Sequence, residues 1–267
     1  MVDLGTLSGA DFSEALGINN RGQVVGFSGA TAQFEFAVLV DDGVMVKLPT
    51  LPGGGDNNNQ ATGINNLGQV VGAATTASGD THAFLFENGV IADLGTLPGG
   101  SFSRATGIND LGQVVGEANT ASGDTHAFLF EDGVMVDLGT LPGGSFSRAT
   151  GINDRGQVVG EADNASGVTH AFLFEHRAMV DLGTLPGGIF SHAAAINDSG
   201  QIVGYSLQSV PFQTHAFLFD KGVMVDLGTL PGGTFSQALG INNRGQVVGS
   251  SNAPNVVNHA TLWTPTP

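Results

Sequence analysis

Five histidines, His82, His126, His170, His215 and His259, each open the same short run, written "HAFLF" or "HATLW", at intervals of 44 or 45 residues. Imidazole is a good metal ligand and a ready general base, so a set of five invites a metal or catalytic reading. The spacing argues against it. A single histidine per repeated unit is held away from the next by the repeat itself, and three cannot gather around one ion. Phe36 fills the slot in the first unit, and a packing site accepts an aromatic ring where a ligand site does not. The expectation is structural: each imidazole hydrogen-bonded between neighbouring units, with no metal and no cofactor. The "DLG" carboxylates Asp3, Asp93, Asp137, Asp181 and Asp226 are dispersed in the same way, and Lys47 takes their slot once. Solvation of an outer edge strand, or capping of turn amides, explains them better than acid catalysis or calcium binding.

Two further groups could do chemistry. Arg104 and Arg148 stand 13 residues before Glu117 and Glu161, and the equivalent positions elsewhere are Glu14 with Phe27, Gln60 with Ala73, His192 with Tyr205 and Gln237 with Ser250. Arginine occurs only where glutamate does. Cross-strand ion pairs, each worth about 0.2–1 kcal/mol, are the economical reading. The other group lies where the repeat is irregular, at residues 53–61, 205–214 and 251–258. Asp56, Asn57, Asn58 and Asn59, with Asp80 and Tyr205, are the candidate ligand-binding residues, since amides and carboxylates of this kind grip sugar hydroxyls or calcium. A looser surface loop explains the same residues without a ligand. No Ser, His and Asp combination stands out from the repeat, so no catalytic residue is assigned.

These residues ride on an internal repeat. "GQVVG", once "GQIVG", begins at Gly22, Gly68, Gly112, Gly156, Gly200 and Gly245, giving six units 44 to 46 residues apart. Residues 93–132 and 137–176 differ at five of forty positions, the mark of recent duplication or of an engineered repeat. Each unit holds four β-like runs, typified by "RATGIND", "QVVGEA", "HAFLFE" and "VMVDLGTL". They are too short for helices and are bounded by Gly, Asn, Asp or Pro. Pairs such as Asn109 and Asp110 begin tight turns, with Gly112 free to take positive φ. Four antiparallel strands in roughly 44 residues match one propeller blade.

The predicted fold is therefore all-β: a six-bladed β-propeller with four antiparallel strands per blade. It forms a single domain over residues 1–267, with blades at about 8–50, 58–97, 102–141, 146–185, 190–230 and 235–264. Small side chains in "ATGIN" place the first strand innermost and "VMVDLG" outermost. The chain stops after a third strand, "HATLW", and starts with "MVDLGTL". Residues 1–7 are thus expected to complete the sixth blade as its fourth strand and close the ring. Phe12, Phe102, Phe146, Phe190 and Phe235 follow "LPGG"-type crossovers and are expected to pack over the blade tops. A parallel β-solenoid is the competing architecture; its coils are shorter than this period.

With "HAFLF", "DLGTLPGG", "INDLGQVVG" and the 44-residue period together, the chain resembles the HAF repeat family of probable bacterial extracellular repeats. It departs from that pattern at Phe36 and in "KLPTLPGGGDNNNQA". The resemblance implies secretion or a cell-surface location and carries no catalytic residues with it.

Composition narrows the function further. Of 267 residues 42 are glycine and none is cysteine, so no disulfide or thiolate chemistry is available. A net charge of -16 repels a phosphate backbone, which excludes nucleic acid as a partner. No apolar run reaches the roughly 18 residues that span a bilayer, and no basic, apolar leader precedes Val2. The reading is a monomeric, non-catalytic extracellular binding or structural scaffold that meets a surface glycan or another protein with its loop-rich face. Two alternatives stand beside it: a secreted glycan hydrolase or lyase using Asp56 and Asp80 on that face, and an engineered symmetric propeller with no selected ligand.

Overall fold

A computed structural model of the chain describes residues 2–31, 34–209, 212–254 and 257–264. Parts of the irregular stretches 205–214 and 251–258 therefore lie outside the described residues. All regular structure in it is β, in two compact units, Met1–Asp137 and Leu138–Pro267. The first unit holds three four-stranded sheets. They are β1 (Phe12–Ile18), β2 (Val24–Thr31), β3 (Phe34–Asp41) and β4 (Val44–Lys47); β5 (Gln60–Ile64), β6 (Val70–Thr75), β7 (Thr81–Glu87) and β8 (Val90–Asp93); and β9 (Ser103–Ile108), β10 (Val114–Asn119), β11 (Thr125–Glu131) and β12 (Val134–Asp137).

The second unit repeats the plan. Its sheets are β13 (Ser147–Ile152), β14 (Val158–Asp163), β15 (Thr169–Glu175) and β16 (Ala178–Asp181); β17 (Gly188–Ile196), β18 (Ile202–Ser209), β19 (Phe212–Asp220) and β20 (Val223–Gly228); and β21 (Ser236–Ile241), β22 (Val247–Asn252) and β23 (Asn258–Trp263). Every sheet runs antiparallel in chain order. Six blades of this kind define the six-bladed β-propeller class.

Blades pack face to face within each unit, and their cores interleave residues of adjacent repeats. Val25, Ala37, Leu48 and Leu51 meet Ala61, Val70, Ala74 and Phe84, and in the second unit Val159, Ala171 and Leu185 meet Ala193, Ile202 and Phe217. Fully burying a Phe or Leu side chain is worth about 1.5–3 kcal/mol, so these seams supply much of the stability. The first strands of neighbouring blades are joined by threonine side chains. Thr62 Oγ1 donates to the Ala105 carbonyl at 2.8 Å and Thr150 Oγ1 to the Ala193 carbonyl at 2.7 Å. Small side chains permit this close approach: a Cβ added at Gly63 would lie 3.5 Å from Gly107 Cα of the next blade.

Each first strand carries a bulge where it pairs with the second, as between Ala149 and Gly151. The glycine opposite the bulge cannot be replaced without a clash. A Cβ at Gly116 would lie 2.0 Å from the Arg104 carbonyl oxygen, and one at Gly160 would lie 1.9 Å from that of Arg148. The last glycine of "GQVVG" is thus a packing requirement.

Blade six differs from expectation. Among the described residues its sheet has three strands, and residues 2–7 take no strand conformation. Gly5 and Leu7 bond to the first blade: the Leu7 N–H donates to Ser28 Oγ at 3.1 Å and Ser13 Oγ to the Gly5 carbonyl at 2.6 Å. Leu185 with Ser206 and Ser191 with Gly183 make the same two bonds further along. "LGTL" therefore belongs structurally to the blade that follows it, which is why residues 4–7 are placed on blade one.

Candidate functional site

The repeated histidines have a partner that the spacing alone does not reveal. His82 Nδ1 lies 3.0 and 2.9 Å from the two Asp93 oxygens, and Asp93 Oδ1 also accepts the Gly95 N–H at 2.7 Å. His126 with Asp137, His170 with Asp181 and His215 with Asp226 repeat the pair. The expected bond between blades is corrected to a bond within one blade. Phe84 faces Asp93 in the register, so His82, two residues away on the same face, sits diagonal to the carboxylate. The aspartates do cap turn amides, and they also orient the imidazoles. His259 lies exposed on β23.

In the first blade both slots change together. Lys47 Nζ stands 4.2 Å from the centroid of the Phe36 ring, so a cation–π contact replaces the histidine–aspartate pair. The sequence shows both departures, and only the fold shows that they face each other. The same ammonium pairs with Asp56.

The asparagines of "IND" and "INN" do more than form turns. Asn65 Oδ1 accepts the Leu67 and Gln69 N–H groups, while its Nδ2 donates to the Asn109 carbonyl of the next blade at 2.9 Å. Asn153 and Asn197 repeat this in the second unit, to Asn197 and Asn242. Aspartate at this slot would have no proton to give, which is the signal in the sequence that identifies the role.

Of the two predicted arginine–glutamate pairs, both face each other in the register and that of Arg148 and Glu161 is joined by a hydrogen bond. Arg148 Nη2 donates to Glu161 Oε1 at 2.6 Å. Arg104 faces Glu117 in the register, but its guanidinium turns to the preceding blade and donates to Gln60 Oε1 at 3.1 Å. Gln60 in turn donates to Glu35. A first-strand side chain can thus reach across its own hairpin, as Arg148 does, or to the preceding blade, as Arg104 does.

Around Glu161 the arrangement becomes richer. His192 Nδ1, which must carry the proton to bond a carboxylate, lies 2.8 Å from Glu161 Oε2 across the seam between β14 and β17. The imidazole stacks on Tyr205, with centroids 5.0 Å apart at 28°, and Phe190 stands 6.0 Å from that ring, tilted by 32°. Glu161 is 8% exposed. Burial pulls its carboxyl pKa up, but the hydrogen bond and charge of His192, joined by Arg148, outweigh burial and hold it below the ordinary value. Burial, and next the Glu161 charge, push the Tyr205 hydroxyl up, so it stays protonated.

The loop candidates are partly committed elsewhere. Asn59 is buried: its Nδ2 donates to the Gly55 carbonyl at 3.0 Å and its Oδ1 accepts the Thr75 N–H at 2.9 Å. Asn58 takes a left-handed conformation (φ 53). The Asn57 carbonyl accepts Thr75 Oγ1 at 2.6 Å, and Asp80 accepts Ser78 Oγ at 2.6 Å within its own turn. Asp56, Asn57 and Asn58 remain exposed beside the turn that carries Asp80. Tyr205 belongs to the second unit, with the Glu161 cluster. Among the described residues, no group of three histidine or carboxylate side chains could hold a metal ion.

The sequence matches no family model and no curated protein. Solved structures do resemble the chain. AofleA from Arthrobotrys oligospora has a TM-score of 0.52 at 12% identity, the match covering 94% of this chain and 82% of that one. TolB from Acinetobacter baumannii has a TM-score of 0.51 at 12% identity, with 91% and 61% covered, so the chain spans less than two thirds of its length. The SapL1 lectin, solved with alpha methyl fucoside, has a TM-score of 0.50 at 10% identity, with 96% and 94% covered. At these identities the likeness concerns the fold alone, and it agrees with the strand topology.

Proposed function

We propose that this propeller is a non-catalytic binding module of the HAF repeat type, working outside the cell or at its surface, with a glycan as its ligand. The observation that carries the reading is where the chemistry goes. The repeated His–Asp pairs and asparagines are bonded into the blades, which leaves departures from the repeat to meet a ligand. The longest of those departures fall in the loop that enters β5 and at the ends of β18 and β22, on the side of each blade where loops enter first strands and leave second strands. Thr75 and Asn57 join the two loop types there, as do Phe102 and Asn119. SapL1, a lectin of like fold, supports the choice of a sugar as ligand.

Among the described residues no helix is long and apolar enough to cross a membrane. A glycan array run beside a hydrolysis screen on the same panel tests the proposal: retained binding without turnover supports it. Turnover without retained binding would sink it and favour the hydrolase or lyase reading. The near-identity of residues 93–132 and 137–176 favours one second reading, an engineered scaffold. That reading expects no binding to any member of the panel.

A further inference from the structure

Each blade carries one pair of facing positions on its first and second strands near the loop-bearing face, and these positions vary more than the strands around them. They are Glu14 and Phe27, Gln60 and Ala73, Arg104 and Glu117, Arg148 and Glu161, His192 and Tyr205, and Gln237 and Ser250. The fourth and fifth blades bring two of these pairs together at one seam. Arg148, Glu161, His192 and Tyr205 there form a single bonded and stacked chain with Phe190 at its end. We propose that this seam is a subsite for one neutral sugar unit, a polyol presenting neighbouring hydroxyls. The assignment deepens the glycan-binding reading and rests on it.

The ligand class follows from the balance of charge and of donors. Arg148 and Glu161 cancel at bonding distance, and His192 already spends its Nδ1 proton on the same carboxylate, so the attraction of the cationic groups is turned inward and not toward a ligand charge. The chain's net charge of -16 further disfavours polyanions. What remains is a mixture of donors and acceptors, which hydroxyl groups, being both, can satisfy together. Both Glu161 oxygens already hold Arg148 and His192, so Glu161 is the positioning residue. With Nδ1 engaged, His192 keeps Nε2 to offer, and Tyr205 keeps its protonated hydroxyl. The Arg148 side chain, 38% exposed, has further N–H groups beyond the one bound to Glu161. Phe190 and Tyr205 add an apolar wall for sugar C–H groups, the usual complement to a few oriented polar groups.

Tyr205 is the chain's one tyrosine, beside one tryptophan, Trp263, so a tyrosine difference absorbance reports this seam, while affinities of the chain and its variants are read by titration calorimetry. The purified chain would be titrated with methyl glycosides of neutral hexoses and deoxyhexoses, and with galacturonate and a diamine as charged probes. At least one neutral glycoside should perturb the tyrosine signal saturably and bind more tightly than either charged probe. Tyr205→Phe, which keeps the ring, should weaken binding roughly three- to tenfold, and His192→Ala about tenfold or more, as expected for lost hydrogen bonds. Gln237→Ala, in the same slot of blade six, should leave affinity unchanged. If His192→Ala does not fold, the isosteric Tyr205→Phe decides the matter. Glycoside binding untouched by either variant and silent in the tyrosine signal would place the site elsewhere while leaving the glycan reading intact. Absence of any glycoside binding by the unaltered chain would overturn both, and tighter binding of a charged probe would overturn the ligand class.

Discussion

A buried carboxylate with two cationic or proton-bearing partners is a linkage device as well as a structural one. Glu161 is held below the ordinary carboxyl value of 4.5 by His192 and Arg148 despite its burial. Its folded pKa is depressed, so its stabilisation is fully present above the unfolded value and is lost as pH falls through the lower folded value. Glu161→Gln should therefore destabilise the chain by about 1–3 kcal/mol at neutral pH. Urea unfolding should show that difference shrinking below about pH 4.5; a gap that stays constant into acid would mean that the charge contributes nothing. Phe36 and Lys47 offer a second residue-scale test. Phe36→His and Lys47→Asp should each destabilise alone and compensate each other together, with a coupling of about 0.5–1 kcal/mol in a double-mutant cycle. Both positions are visible as departures from the repeat. Their pairing is not, because residues 11 apart meet only when β3 and β4 set a diagonal across one face.

At the scale of elements, strands and turns were the most legible features. Alternating apolar residues, Asn–Gly-type turns and the Pro–Gly crossovers act over a few residues, so the sequence reading places the four strands of each of the first five repeats, and three of the sixth, within a few positions of those seen. The bulge opposite Gly116 and the docking of "LGTL" on the following blade were not legible, since both depend on a neighbour's backbone. The same holds for the asparagine link between blades. Asn65 is 4% exposed and donates across the seam to Asn109. Asn65→Asp keeps the turn acceptor but sets a carboxylate against that carbonyl and against Gln69 Oε1, and it should cost about 2–3 kcal/mol. Thermal unfolding would measure it, and a melting temperature equal to that of the unaltered chain would remove the asparagine link from the account. Arg104 illustrates the limit of strand-level reasoning: the register with Glu117 is as expected, and the bond to Gln60 of the preceding blade is one that the hairpin alone does not indicate.

For the whole molecule, charge is the property that composition states most directly. With 24 acidic and 8 basic residues and an isoelectric point near 4.4, the chain should be most soluble well above that pH. Static light scattering across an acid titration should show a minimum in solubility near the isoelectric point; constant scattering through that range would contradict it. The sequence by itself determined the all-β class, six units, four strands in each of the first five and the absence of cysteine chemistry, because periodicity, turn residues and composition are local. Only the tertiary structure decided which partner each repeated side chain takes. It placed histidine against aspartate within a blade, asparagine against the next blade's carbonyl, and Glu161 between Arg148 and His192. A hydrogen bond is made or lost over a few tenths of an ångström, and for residues 11, 31 or 44 positions apart that distance is set by how the sheets pack.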